Sequence, residues 1–115
     1  MALLLRRGDP LPALTVATGK LDLARYSGRY WAIVTGPRTA LEHAALANLP
    51  LVTTTPDAAG MTAAQRLGAD FVAGEPQPLV VLLDPAGTVV QSWTDAPLPS
   101  LLALAQAKAD ELAGK

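Results

Sequence analysis

The chain has 115 residues, enough for one domain with its own core, and contains no cysteine, which excludes disulfides, thiolate nucleophiles and thiolate metal sites. Its formal net charge of −1 provides no general attraction to nucleic acid. The longest apolar run is far too short to span a bilayer, and an apolar Met1-Ala2-Leu3-Leu4-Leu5 followed by Arg6-Arg7 is the wrong order for a secretory signal, so the sequence reads as cytoplasmic and without a membrane partner.

The opening Gly8-Asp9-Pro10-Leu11-Pro12 is extended and stiffened by proline. Leu14-Thr15-Val16 and Leu21-Asp22-Leu23 alternate around Thr18-Gly19-Lys20 and predict a hairpin with its turn at 18–20. Residues 24–27 read as a helical turn closed by Gly28. Tyr30-Trp31-Ala32-Ile33-Val34 has the β-branched and aromatic content of a strand. Gly36-Pro37 breaks the chain, and residues 38–48 follow as a short helix with Leu41, Ala45 and Leu49 on one stripe.

Leu51-Val52-Thr53-Thr54 predicts the next strand. Thr55-Pro56-Asp57 then supplies a cap, a first-turn proline and a first-turn acid for a helix reaching Leu67, with Gly68 available as a left-handed cap. Gly60 weakens that helix by about 1 kcal/mol relative to alanine. Pro78 leads straight into apolar residues 79–83, an Asp84-Pro85-Ala86-Gly87 turn follows, and residues 89–93 return as a strand. After Ala96-Pro97-Leu98-Pro99-Ser100, the residues Leu98, Leu101, Leu102, Ala105, Ala109 and Leu112 mark one face of a final helix. The order β-hairpin, β, α, β, α, β, β, α implies an α/β fold, with a mixed sheet covered by helices on both faces.

Hydrophobic residues make up 50% of the chain, about 58% with the nine glycines, against about 45–50% in an average soluble domain. Much of the excess is Ala and Leu. It fits small side chains within helices; the alternative is an apolar surface that a partner covers. Residues 1–38 carry six basic side chains against two acidic ones, a net +4, whereas residues 39–115 carry three against eight, a net −5. The split can align two subunits, or folding can mix both halves on one surface.

In this order the residues resemble the thioredoxin-like superfamily, and within it the peroxiredoxin branch (the alkyl hydroperoxide reductase/thiol-specific antioxidant family). Gly8-Asp9-Pro10-Leu11-Pro12-Ala13-Leu14-Thr15 resembles the family's opening G-x-x-A-P-x-F-x-L. Gly19-Lys20-Leu21-Asp22-Leu23 with Tyr26-Ser27-Gly28-Arg29 resembles G-K-x-x-x-L-x-x-Y-x-G-K. Val52-Thr53-Thr54-Thr55-Pro56-Asp57 resembles the strand-to-helix junction V-S-x-D-S-P-E, and Leu83-Asp84-Pro85-Ala86-Gly87-Thr88-Val89 resembles I-D-x-x-G-x-I. The resemblance implies a single thioredoxin-like domain over residues 1–115, with an N-terminal β-hairpin.

The departures bear on function. Counting along the branch's Pro-x-x-x-Thr/Ser-x-x-Cys loop from Pro37 puts Leu41 at the Thr/Ser position and Ala44 at the cysteine. Thr35-Gly36-Pro37-Arg38 echoes the residues flanking the thioredoxin Cys-x-x-Cys but lacks both thiols. The branch's arginine before the late strand is replaced by Pro78, which resembles the superfamily's cis-proline and implies a cis Gln77–Pro78 bond.

Thiol peroxidase and disulfide reductase chemistry are excluded, since both need a thiolate. Met1 and Met61 can be oxidised but do not form a two-thiol cycle. His43 is the only histidine; it is either a general base or a surface residue, and one histidine among scattered acids is a poor metal constellation. Trp31 and Trp93 read as core or edge packing, because no basic aromatic groove surrounds them. The candidate ligand site is the loop after the strand at 30–34, where Thr35, Gly36, Arg38 and Thr39, with Pro78 beside them, could hold a phosphate, sulfate or carboxylate at a helix N-terminus. The alternative is a simple turn with a solvated Arg38.

The sequence therefore points to a redox-inactive thioredoxin-like domain acting in binding or assembly, without a cofactor and self-associating as a homodimer through the strand at 30–34 or the exposed side of the last helix. Two alternatives stand beside it: a small-anion or small-molecule binder, even a weak enzyme, using the 35–39 loop, and a non-catalytic protein partner of a peroxiredoxin.

Overall fold

Leu79–Leu83 is apolar at every position, a pattern that suits a strand covered on both faces. The computed structural model describes residues 15–16, 19–20, 28–37, 40, 49–54, 62, 64–65, 67–69, 71–86 and 88–114. Among these residues the strands are β1 (Thr15–Val16), β2 (Gly19–Lys20), β3 (Trp31–Thr35), β4 (Leu51–Thr53), β5 (Phe71–Val72), β6 (Glu75–Pro76), β7 (Leu79–Leu83) and β8 (Val89–Trp93), followed by the helix α1 (Leu98–Ala113).

The central sheet has the order β4-β3-β7-β8. β3 pairs parallel with β4 and antiparallel with β7, and β7 pairs antiparallel with β8. The mixed sheet and the antiparallel return of residues 89–93 are as the sequence implies. The register of β7 on β8 shifts between Leu82↔Gln91 and Leu83↔Val89, leaving Val90 as a bulged residue beside the turn. Asp84 shapes that turn. Its Oδ1 accepts from the Ala86 N–H at 3.0 Å and the Thr88 N–H at 2.9 Å.

Strand alternation divides the core in two. Trp31, Ile33, Leu79, Val81 and Leu83 point to one face, where Val52, Ala64, Leu67 and Val89 join them. Ala32, Val34, Val80 and Leu82 point to the other, where Leu98, Leu101, Leu102, Ala105 and Ala109 of α1 cover them. The helical stripe read from the sequence is the buried face, with Leu112 half-buried at its end. Truncating Leu82, which is fully buried under α1, to alanine would cost about 2–5 kcal/mol. Trp31 is core, as its sequence context indicates.

The helix on the first face closes as expected from Gly68. Gly68 has φ +92°, its N–H donates to the Gln65 carbonyl at 3.1 Å, and the Ala69 N–H donates to the Ala64 carbonyl at 3.0 Å. These are the two bonds of a Schellman cap, whose left-handed position favours glycine.

Three expectations need correction. The first hairpin turns earlier than 18–20: Val16 pairs with Gly19 and Thr15 with Lys20, because Gly19 and Lys20 are strand residues rather than turn residues. The strand at 30–34 cannot offer a free edge for self-association. β3 is flanked by β4 and β7, so its backbone donors and acceptors are already shared. Among the described residues the outer strands of this sheet are β4 and β8. The Gln77–Pro78 bond is the third. The helices expected at 24–27 and 38–48 lie largely outside the described residues, where only Ala40 of the second is seen, in helical conformation.

Candidate functional site

The parallel pair β3 and β4 terminates at one end of the sheet, and β7 begins there. Thr35 pairs in register with Leu79, so Pro78 falls one residue outside the ladder, where its missing N–H costs no hydrogen bond. The Thr54 N–H donates to the Val34 carbonyl at 3.1 Å, extending the β3–β4 contact by one residue. This brings the Thr35 and Thr54 hydroxyls to 2.8 Å, and both side chains are buried.

Gly36 follows, also buried, and runs close against Pro78. A Cβ at position 36 would lie 3.3 Å from the Pro78 Cα and 3.7 Å from its nitrogen. Glycine is there because two backbones pass side by side. Pro37 opens the next segment, its carbonyl accepting from the Ala40 N–H at 3.0 Å. Pro78 is fixed from its other side by the Thr94 hydroxyl, which donates to its carbonyl at 3.2 Å.

The Gln77–Pro78 bond is trans, since the described residues contain no cis peptide bond, and this corrects the cis-proline expectation. Trans is the favoured X–Pro isomer by about 0.5–1 kcal/mol, and Pro78 reaches Gly36 and Thr94 in that form. The expected neighbourhood of Pro78 is therefore present without the expected isomer.

Of the candidate ligand residues, the structure brings Thr35, Gly36 and Pro78 together. Arg38 and Thr39 lie outside the described residues, as does His43. The Thr35 hydroxyl is fully buried and turned to Thr54, while Pro37 and Pro78, among the described residues at this end, are half-buried. Among the described residues no three His, Cys, Asp or Glu side chains cluster as metal ligands, and no helix is long and apolar enough to cross a membrane.

Beside Pro78 opens a groove of about 510 Å³, lined by Val72, Gln77, Pro78, Asp95, Ala96 and Pro97. Val72 comes from the β5–β6 hairpin, where Phe71 pairs with Pro76 and Val72 with Glu75. The hairpin closes through two left-handed residues, Ala73 at φ 53° and Gly74 at φ 80°. That is the backbone of a tight two-residue hairpin turn, and alanine adopts it at a cost of about 1–2 kcal/mol. The result is an apolar side chain left 61% exposed at the groove. Asp95, the other described non-glycine residue at positive φ (65°), stands in the same groove.

Sequence reasoning missed this wall entirely. Its signal was Phe71-Val72-Ala73-Gly74-Glu75-Pro76, two short strand-compatible pairs around a two-residue link ending in glycine. Alanine in the first link position, in place of asparagine, aspartate or glycine, hid it.

No protein-family model matches the chain, and no curated protein matches it. Among solved structures it is similar to the thiol peroxidase from Chromobacterium violaceum, with a TM-score of 0.55 and 17% identity over 94% of this chain and 90% of that one. At that identity the likeness is one of fold. The mixed sheet with its covering helix is an α/β thioredoxin-like fold.

Proposed function

We propose that this chain acts by binding, as a cysteine-free thioredoxin-like domain that associates with a second copy of itself around the groove beside Pro78. The structural neighbour is described as a thiol peroxidase, and that activity depends on a thiolate. These 115 residues hold none. At the end of the sheet where Gly36 and Pro78 meet, the chain presents a packing surface and a few polar groups, which suit recognition.

The observation that carries this reading is the exposure of Val72 in a groove walled by Pro78, Ala96 and Pro97. A large apolar side chain held out beside a strained turn, within an apolar groove, marks a surface that gains from being covered. Self-association draws further support from the apolar surplus of the chain and from the frequency of two-fold pairing among soluble oligomers.

Amide spectra of the labelled protein from micromolar to millimolar concentration test it. Signals of residues 72, 77, 95 and 96 are expected to move with concentration while those of residues 81 and 82, inside the sheet, stay fixed. Spectra independent of concentration at all four positions would contradict the reading.

A further inference from the structure

A second cleft, of about 520 Å³, lies at the opposite end of the sheet, where β3 begins and β7 ends. Small-molecule sites commonly occupy about 300–1,000 Å³. Its apolar lining comes from Leu49 and Pro50 ahead of β4, Pro85 in the β7–β8 turn, and Ala109 and Ala113 of α1. The Gly28 N–H donates to the Pro85 carbonyl at 3.2 Å, which ties the turn to the segment carrying Arg29 and Tyr30.

The walls carry opposite charge. Arg29, exposed, stands on the segment before β3, and Asp110, also exposed, stands on α1. No ion pair joins them. The Asp110 carboxylate accepts from the Gln106 amide at 3.0 Å, and Lys108 turns to Glu111 at 3.7 Å. α1 also ends at this cleft with no basic residue in its last turn. The partial negative charge of a helix C-terminus, about half an elementary charge, therefore adds to the Asp110 carboxylate on that wall.

A simple anion would meet Arg29 favourably and the α1 wall unfavourably, and a simple cation the reverse. A molecule carrying both charges satisfies both walls. We infer that this cleft binds a small zwitterion, its carboxylate at the Arg29 guanidinium, its ammonium at Asp110 and the end of α1, and its apolar body across Leu49, Pro50 and Pro85. The carboxylate contact is charge-assisted and suits the guanidinium fork. Tyr30, half-buried against the core under α1, gives the Arg29 wall a fixed base.

Unbranched ω-amino acids of increasing length, from β-alanine upward, are the probes. Alkanoates and alkylamines of matched length are the controls. Binding is read from amide shifts of residues 29, 30, 109 and 110 of the whole chain. One length is expected to bind about fivefold more tightly than either control, the upper range for a single exposed ion pair. Arg29→Gln should abolish the advantage over the alkylamine, and Asp110→Asn the advantage over the alkanoate, each without a change in melting temperature. The inference is overturned if no length shifts these signals, if controls bind as well as the zwitterion, or if the ranking survives both substitutions. The signals lie at the other end of the sheet from Val72, so this outcome is independent of self-association.

Discussion

Thr35 and Thr54 share a hydrogen bond between their hydroxyls, 2.8 Å from oxygen to oxygen, at the buried ends of two parallel strands. Each hydroxyl gives the other a partner in a place water does not reach. Thr35→Val alone leaves the Thr54 hydroxyl without that partner and is expected to cost about 1–3 kcal/mol. Thr35→Val combined with Thr54→Val removes both polar groups and should cost less than the two single changes together. Urea unfolding of the three variants checks this. Additive costs, or neutral single variants, would show that the pair is not coupled.

Gly36 and Pro78 make the second tight contact at this end. In Gly36→Ala the new methyl meets the Pro78 backbone, which cannot swing aside as a flexible side chain would. The expected loss is about 1–3 kcal/mol, as for other overpacking changes. Thermal melting reads it, and an unchanged midpoint would mean that the two backbones are less closely apposed.

The core strands were legible because each solved a burial problem visible in sequence. Leu79–Leu83 is apolar throughout, and Asp84-Pro85-Ala86-Gly87 can only turn the chain back, so the β7–β8 pair followed. The α1 stripe was legible because Leu98, Leu101, Leu102, Ala105 and Ala109 recur at helical spacing. Sequence also brought Thr35, Gly36 and Pro78 to one site, yet it could not show that Thr35 turns to Thr54, a contact made across two strands. The isomer of Pro78 was illegible because the two forms differ by only about 0.5–1 kcal/mol before packing decides. Val72 was missed because its exposure depends on a turn whose first residue, Ala73, lacks the usual chemistry for positive φ.

That turn gives a test of its own. Ala73 sits at φ 53°, where glycine has no Cβ to crowd the backbone. Ala73→Gly is expected to raise stability by up to about 1 kcal/mol, the relief of left-handed strain less the extra chain entropy of glycine. A clear loss of stability would mean that the Ala73 methyl has packing partners worth more than the strain.

The absence of cysteine sets a chemical expectation. Peroxide should not be consumed with dithiothreitol or thioredoxin as reductant, because neither thiol attack nor disulfide exchange can begin without a thiolate on the protein. Turnover above a heat-treated control would contradict it.

Sedimentation equilibrium of the unmodified chain beside Val72→Glu tests the central claim most directly. A charge placed on this exposed residue leaves the core untouched and makes the groove costly to cover. The unmodified chain is expected to move from the 11.9 kDa monomer toward twice that mass as concentration rises through the micromolar range, while Val72→Glu, with an unchanged melting temperature, stays monomeric. A monomer at every concentration, or a dimer that forms equally well with glutamate at position 72, would contradict the assignment of this groove as the binding surface.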